Sequence, residues 1–333
     1  MTRSSRMKDR SLTCAIERSH LSLLQSLEPR MLMASTPVTP RPDTLGALFD
    51  KDERQAIVSR FDNAGTQQTT MQSKLNIGNG AFDSQFLAYL KSRTSAKWFF
   101  DESDLTSNAS YINSNLGYGD ITSRADAIVN SHFFPEQTNA DTYTVDLPTN
   151  VNWQSGAASS NPEFLHALNR HGFWMELAQS AVLSGQAKYS DELLYELADW
   201  SSEYTVATTP TSWSASDQSG WLLDSSIRVE NWLWAGFMLL GDADWTGAAN
   251  SLWTYKLIQQ GDYLYSQAGT TTDYDSNRTI SLAKSLLALA QMFPELDTAP
   301  TWETTARNLL YTSWDYQLFK DGSHVEQSPG YTS

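Results

Sequence analysis

The sequence predicts an all-α fold, an incomplete α/α toroid built from antiparallel helical hairpins. Three observations lead to this prediction. From Leu45 onward, apolar residues recur at the helical period in one segment after another. The links between segments after residue 161 are short, so consecutive helices must lie antiparallel as neighbours. No sequence repeat of fixed period occurs, which disfavours a solenoid, and the aromatic-rich helix faces favour a toroid over a simple bundle.

The first 44 residues form a separate region. We predict that residues 1–44 are a disordered tail of export type and that residues 45–333 form one helical domain. The tail is rich in basic residues, and its apolar run LSLL is too short for a conventional signal peptide. Its stretch SLEPRMLMAS resembles the LEPR-x-L-L segment near the N-termini of many planctomycete proteins thought to be exported. This resemblance implies an extracytoplasmic location, either periplasmic or secreted.

Two helices are predicted in the first part of the domain, and they cover the segments LGALFDKDERQAIVSRF and DSQFLAYLKSR. Residues 101–160 are polar, and TYTVDL within them is predicted to be a short strand or an extended arm.

The pattern becomes regular after residue 161. Pro162 lies near the first turn of a long helix, and Gly185 is its predicted stop. The predicted helices of this part cover residues 162–184, 190–204, 221–240, 249–268, 277–293 and 301–319.

Composition and charge exclude several classes of function. A net charge of −15 argues against nonspecific binding to nucleic acid, although a local group of arginines could still bind an acidic sugar. No apolar stretch reaches the length of a membrane-spanning helix. The sequence shows no Cys/His metal cluster, no Gly-rich phosphate loop and no nucleophile elbow, so we predict no cofactor and no metal site. The twelve Trp residues suit either a helical core or sugar stacking.

Four segments carry a resemblance to a known family. They are a segment that contains LNRHGFW and ends in Asp-Trp, then SIRVENWLWA, SNRTISLAKSLLALAQMFPEL and DGSHVEQSPGYT. In this order they resemble the N-terminal helical domain of the heparinase II/III polysaccharide lyases, most of all the heparan-sulfate lyase branch. The resemblance covers roughly residues 120–331.

The resemblance implies both an architecture and a reaction. In this family an α/α toroid precedes a large antiparallel β-sandwich, and the sugar chain lies in the cleft between them. This chain shows no sandwich segment, so we expect an incomplete toroid. The implied substrate is an acidic polysaccharide, a uronic-acid-containing glycosaminoglycan-like chain such as heparan sulfate. The implied reaction is β-elimination, in which a base removes the C5 proton and the 4-O glycosidic oxygen leaves.

The resemblance also implies site residues. Tyr331 matches the family's tyrosine, which acts on the C5 proton, the leaving oxygen or both. Asn277 matches an asparagine that hydrogen-bonds the uronate carboxylate, although it could instead cap a helix, a role for which Ser276 competes. Arg278 stands where the family commonly has His, and could neutralise the carboxylate bidentately. Thr332 stands where the family commonly has another His.

Three further residues are candidates for substrate binding, and each has a structural alternative. Arg228 lies on an otherwise apolar helix, where it could contact the sugar or pair with Glu230 or Asp224. Trp153 and Trp213 could stack on sugar rings or pack in the core.

Two rival functions remain open. A glycoside hydrolase on an α/α toroid would need two carboxylates that face each other across the cleft, and nothing in the sequence marks such a pair. The other rival is an inactive toroid that only binds acidic glycan. Since the family's further histidine belongs to a part that this chain lacks, we expect the chain alone to be weakly active or inactive. We also expect a structural hydrogen-bonding role for His171.

Overall fold

The computed structural model describes residues 45–93, 121–130, 132, 133, 145, 146, 153, 162–206 and 221–325. The predicted tail, Trp213 and Tyr331 lie outside these residues. The α-helices of the described part are α1 (Lys51–Arg60), α2 (Thr66–Ile77), α3 (Asn79–Ser92), α4 (Ile121–Val129), α5 (Pro162–Arg170), α6 (Phe173–Ser184), α7 (Ala187–Glu203), α8 (Leu222–Leu239), α9 (Gly247–Ala268), α10 (Asn277–Met292) and α11 (Ala299–Gln317).

The all-α prediction is confirmed. In the described part, the strands are the two-residue β1 (His132–Phe133) and β2 (Val145–Asp146). They pair antiparallel, with His132 opposite Asp146. Strand β2 lies within TYTVDL, where a short strand was predicted.

The helices from α6 onward pack as hairpins in two layers. Helices α6, α8 and α10 lie side by side in one layer, and α7, α9 and α11 form the other. The hairpins α6–α7, α8–α9 and α10–α11 join the layers. Helices α1 and α3 pack against α9, α4 packs against α6, and α5 packs against α8. This alternation between two layers is the arrangement predicted for an α/α toroid.

The first helix is shorter than predicted, because a cap interrupts the periodic segment. Helix α1 begins at Lys51, after Asp50, whose carboxylate accepts hydrogen bonds from the backbone N–H groups of Asp52 and Glu53. The Glu53 carboxylate in turn accepts from the Asp50 N–H at 2.6 Å. This capping box fixes the start of the helix.

The helix predicted over residues 162–184 is also wrong as a single helix, since His171 separates α5 from α6. Its φ is 55°, in the left-handed region that non-glycine residues rarely adopt. The buried ring accepts a hydrogen bond at Nδ1 from Nε1 of Trp232 at 2.8 Å and packs against Trp174 at 4.7 Å between centroids. These contacts hold the strained backbone and confirm the structural hydrogen-bonding role.

Burial keeps the His171 ring neutral. Burial, assisted by the charge of Arg228, lowers the pKa of His171 well below its ordinary value. A neutral ring can accept the indole hydrogen bond, whereas an imidazolium could not.

Tryptophan side chains fill the space between the layers. Trp174 and Trp232 stack with centroids 4.7 Å apart, and Trp200 meets Trp232 edge-on at 5.1 Å. All three are buried. In this part of the chain the tryptophans therefore serve the core, the first of the two alternatives that composition left open.

Glycine allows one of these rings to lie directly on a helix backbone. A Cβ atom at Gly236 in α8 would lie 2.3 Å from a ring carbon of Trp253 in α9. The Trp253 Nε1–H donates to the carbonyl of Trp232 in α8 at 2.9 Å. The absence of a side chain at position 236 thus sets how closely α8 and α9 approach.

We expect Gly236→Ala to lower the free energy of unfolding by about 1–3 kcal/mol, because the added methyl overlaps the Trp253 ring. The intrinsic preference of alanine for helices acts in the opposite direction and is smaller. Urea unfolding measures the change. Gly80→Ala is the matched control, since a Cβ there meets no atom within 4 Å. Equal stability of Gly236→Ala and Gly80→Ala would contradict the close approach.

An acidic cluster lies where α7 meets the link between α8 and α9. Asp191 is 5% exposed, and neither of its carboxylate oxygens has a hydrogen-bond partner. Ser190 Oγ donates to Asp244 of the link at 3.3 Å. Burial, together with the charges of Asp244, Asp242 and Glu192, raises the pKa of Asp191 to about 7.

We expect this cluster to make stability depend on pH. The ordinary pKa of this carboxyl group, 3.8, applies to the unfolded chain. The folded state therefore holds the Asp191 proton more tightly than the unfolded chain does. The stability that this proton contributes to the folded state is fully present below the unfolded pKa and is lost as pH rises through about 7. Asp191→Asn removes the titration and should flatten the decline in unfolding free energy between pH 4 and pH 8. Exposed Asp315→Asn is the control; the same pH profile in both variants would contradict the assignment.

Candidate functional site

The candidate site is built around the N-terminus of α10. Ser276 is the N-cap residue, and its hydroxyl accepts from the backbone N–H of Arg278 at 3.2 Å. Asn277, the first residue of the helix, is exposed. Because Ser276 takes the capping role, the Asn277 amide is not needed for it. A helix N-terminus carries partial positive charge, so this position suits a carboxylate.

Arg278 already has an acidic partner on the protein. Its Nη2 forms an ion pair with Asp273, and its Nε donates to Ser276 Oγ at 3.1 Å. The guanidinium carbon lies 5.5 Å from the ring centroid of Trp221. Partial burial raises the pKa of Asp273, but its hydrogen bonds to Arg278 and neighbouring residues, together with the charge of Arg278, outweigh burial and lower that pKa. A substrate carboxylate would therefore share Arg278 with a charged Asp273.

The side chain of Gln317, at the end of α11, joins three segments. Its Nε2 donates to the backbone carbonyls of Tyr274 and Ser276, at 3.0 and 3.3 Å. Its Oε1 lies 3.2 Å from Nε2 of His324. Because Oε1 can only accept, His324 carries a proton on Nε2 for this bond. Gln317 thus ties the chain before α10 to the chain after α11.

A tight hairpin follows α11. The Val325 N–H donates to the carbonyl of Gln317, and the Phe319 N–H to the carbonyl of Ser323, both at 2.8 Å. Gly322 lies in the turn with φ 85°, which favours glycine. The hairpin thus brings Val325 back beside Gln317. Tyr331 follows Val325 by six residues, a span of at most about 20 Å when fully extended.

Arg228 is engaged inside the helical layers. It is 1% exposed, and its guanidinium donates to the Gln260 side chain at 2.8 Å, to the Asn169 carbonyl at 2.8 Å and to Ser225 Oγ at 3.2 Å. These contacts join α8 to α5 and α9. They favour the structural alternative over substrate contact.

The two acidic partners considered for Arg228 bind other residues. Asp224, with no exposed surface, accepts from His166 Nδ1 at 2.6 Å and from Arg170 Nε at 2.8 Å. Glu230 pairs with Lys284 at 2.8 Å.

The burial and contacts of Trp153 favour core packing over sugar stacking. Its side chain has no exposed surface, and Nε1 donates to Asp199 at 2.9 Å. The ring lies 5.1 Å from that of His171. Of the six predicted site residues, the described part therefore places Asn277 and Arg278 together at an accessible position.

Within the described part of the chain, no group of three or more His, Cys, Asp or Glu side chains is arranged to hold a metal ion. No helix of the described residues is long and apolar enough to cross a membrane.

Curated relatives share part of their sequence with this chain. A heparin-sulfate lyase of Bacteroides thetaiotaomicron is 24% identical over 206 residues, which cover 60% of this chain and 28% of the relative. A heparin-sulfate lyase of Pedobacter heparinus is 26% identical over 190 residues, which cover 56% of this chain and 27% of the relative.

Solved structures share the fold. The structure of a heparinase III, the BT4657 gene product, aligns with a TM-score of 0.66 at 16% identity and covers 83% of this chain and 42% of its own. The heparan sulfate lyase HepC from Pedobacter heparinus aligns with a TM-score of 0.61 at 20% identity, over 85% of this chain and 42% of its own. The chain thus spans less than half the length of these relatives.

The match to a family model extends over most of the chain. The model described as Heparinase II/III N-terminus matches residues 70–333. This range includes both layers of helical hairpins and the candidate site at the start of α10. The chain therefore belongs to the heparinase II/III family and contains its N-terminal domain.

Proposed function

We propose that this chain carries part of the active site of a polysaccharide lyase that cleaves uronic-acid-containing glycosaminoglycan-like chains, such as heparan sulfate, by β-elimination. The observation that carries the proposal is the N-terminus of α10. There Asn277 is exposed, Ser276 takes over the capping role, and Arg278 lies beside it. The relatives named heparin-sulfate lyases support the reaction and the substrate class.

The first chemical task is to hold the uronate carboxylate. The C5 proton is barely acidic while that carboxylate keeps its full charge. Donors placed where negative charge grows in the transition state stabilise the enolate. In the proposal, the Asn277 amide donates to one carboxylate oxygen, and the exposed N-terminus of α10 adds its partial positive charge.

Arg278 is the proposed second partner of this carboxylate. Its side chain is 41% exposed, so an incoming carboxylate can reach it, and the pair with Asp273 holds it in place beforehand. Because an arginine stays protonated, it can neutralise charge but cannot take the C5 proton.

Tyr331 is the proposed residue for proton transfer. Gln317 and the hairpin after α11 anchor the chain at Val325, close to the carbonyls of Tyr274 and Ser276. The six residues from Glu326 to Tyr331 are long enough for the Tyr331 hydroxyl to reach a sugar held at Asn277. As a phenolate, the tyrosine side chain can accept the C5 proton. The phenol that results can then donate a proton to the leaving 4-O oxygen.

The hydrolase alternative needs two accessible carboxylates, and Asp224 and Asp273 do not favour it. Asp224 is enclosed by His166 and Arg170, and Asp273 is paired with Arg278. The pKa of Asp273 is lowered, and a carboxylate with a lowered pKa is a poor general acid at neutral pH.

We also propose an extracytoplasmic location, periplasmic or secreted. The support is the LEPR-type segment in the first 44 residues and the polymeric substrate class, which a cell meets outside its cytoplasm.

The proposal is tested by the product formed from heparan sulfate. Elimination leaves an unsaturated uronate that absorbs near the far-ultraviolet edge, whereas hydrolysis does not. For the 333-residue chain we expect slow release of this chromophore, since Arg278 and Thr332 stand where the family commonly has histidines. Tyr331→Phe should reduce the rate to that of the enzyme-free control, because removing one preorganised catalytic group commonly costs about 10²–10³-fold.

The matched control is Tyr311→Phe, which removes the same hydroxyl from an exposed tyrosine of α11. It should retain the wild-type rate. Saturated reducing ends without the chromophore would contradict lyase chemistry, and full activity of Tyr331→Phe would contradict the assignment of Tyr331.

A further inference from the structure

A pair of aromatic rings, the partly buried Tyr274 and the exposed Tyr316, lies beside the candidate site. The rings of Tyr274 and Tyr316 have centroids 5.4 Å apart and planes inclined by 40°. Tyr316, in the last turn of α11, is 59% exposed. Tyr274 lies three residues before Asn277, in the link that leads into α10. The pair therefore lies next to the accessible N-terminus of α10.

Hydrogen bonds from the side chain of the residue next to Tyr316 hold the segments of the two rings together. Gln317 directly follows Tyr316, and its amide donates to the backbone carbonyls of Tyr274 and Ser276. Gln317 is 8% exposed, so these hydrogen bonds are shielded from water. A surface whose rings are fixed in advance loses less conformational entropy when a ligand binds.

A pyranose ring suits such a surface. Its C–H face is apolar and its edge carries hydroxyl groups, while a tyrosine offers an apolar ring with a polar tip. The chain carries a net charge of −15, which disfavours an acidic polysaccharide at long range. Contacts between ring faces do not depend on charge, so they can offset part of that repulsion.

We propose that Tyr274 and Tyr316 form a stacking platform for a sugar ring of an acidic oligosaccharide, next to the uronate bound at Asn277. This proposal rests on the proposed function and adds to it a binding subsite at the junction of α10 and α11. The platform positions the polymer, and Asn277 with Arg278 holds the carboxylate.

Calorimetric titration of the 333-residue chain with a heparan sulfate hexasaccharide tests the platform. Tyr316→Ala should weaken binding about three- to tenfold, the loss expected for one aromatic contact. Tyr316→Phe keeps the ring and should bind like the wild type.

Tyr311→Ala is the matched control on the same helix. Tyr311 is 69% exposed, and a residue five positions from Tyr316 lies about 140° away around the helix axis. It should bind like the wild type. The titrations are repeated at two salt concentrations, because the loss in Tyr316→Ala should be the same at both, whereas charge contacts weaken with salt.

The outcomes separate the two proposals. Wild-type affinity in Tyr316→Ala, or an equal loss in Tyr311→Ala, overturns the platform while the proposed function stands. A wild-type chain that binds no heparan sulfate hexasaccharide overturns the proposed function and the platform with it. Equally tight binding of neutral maltohexaose overturns the acidic ligand class.

Discussion

Helix α8 is buried along most of its length although it carries charged residues, and the positions of its neighbours follow from this constraint. Buried polar groups need hydrogen-bond partners inside the protein. Helix α5 supplies His166 to Asp224, and α9 supplies Gln260 to Arg228. Helix α10 supplies the hydroxyl of Ser285 to a carbonyl of α8 at 2.8 Å. The Ser285 hydrogen bond and the ion pair of Lys284 with Glu230 hold α10 on α8, and thereby position the N-terminus of α10, where the proposed carboxylate site lies.

Most of the fold was predictable because amphipathic periodicity is a local property of the sequence. The predicted ends of α8 to α11 agree with the structure to within two residues, and the antiparallel hairpins follow from the short links. Helices α2 and α4 were not predicted. Two further errors occur where a single residue overrides the period. His171 adopts a left-handed backbone that buried contacts with distant tryptophans stabilise, and Asp50 caps a helix inside a periodic segment. The tertiary contacts of His171 leave no trace in the spacing of apolar residues, whereas the capping box of Asp50 and Glu53 is a local signal that apolar spacing does not include.

The candidate site, like the fold, could be predicted from the sequence only where its contacts are local. The competition between Ser276 and Asn277 for the cap was visible in the sequence, because capping involves neighbouring residues. The contacts of Gln317 and Tyr316 with the segment before α10 were missed, since these partners lie about forty residues away and no motif marks them. The structural role of Arg228 could not be predicted either, because periodicity shows that a helix is buried but not which neighbouring helices supply its hydrogen-bond partners.

The proposed function requires the N-terminus of α10 to receive the uronate carboxylate and Tyr331 to act on the same sugar. A crystal structure of the chain with a heparan sulfate oligosaccharide is the decisive measurement. We expect a uronate carboxylate within about 3 Å of the Asn277 amide nitrogen, with the Tyr331 hydroxyl close enough to C5 of that uronate for proton transfer. A uronate bound elsewhere on the helical layers, or a Tyr331 side chain on the face opposite Asn277, would contradict it.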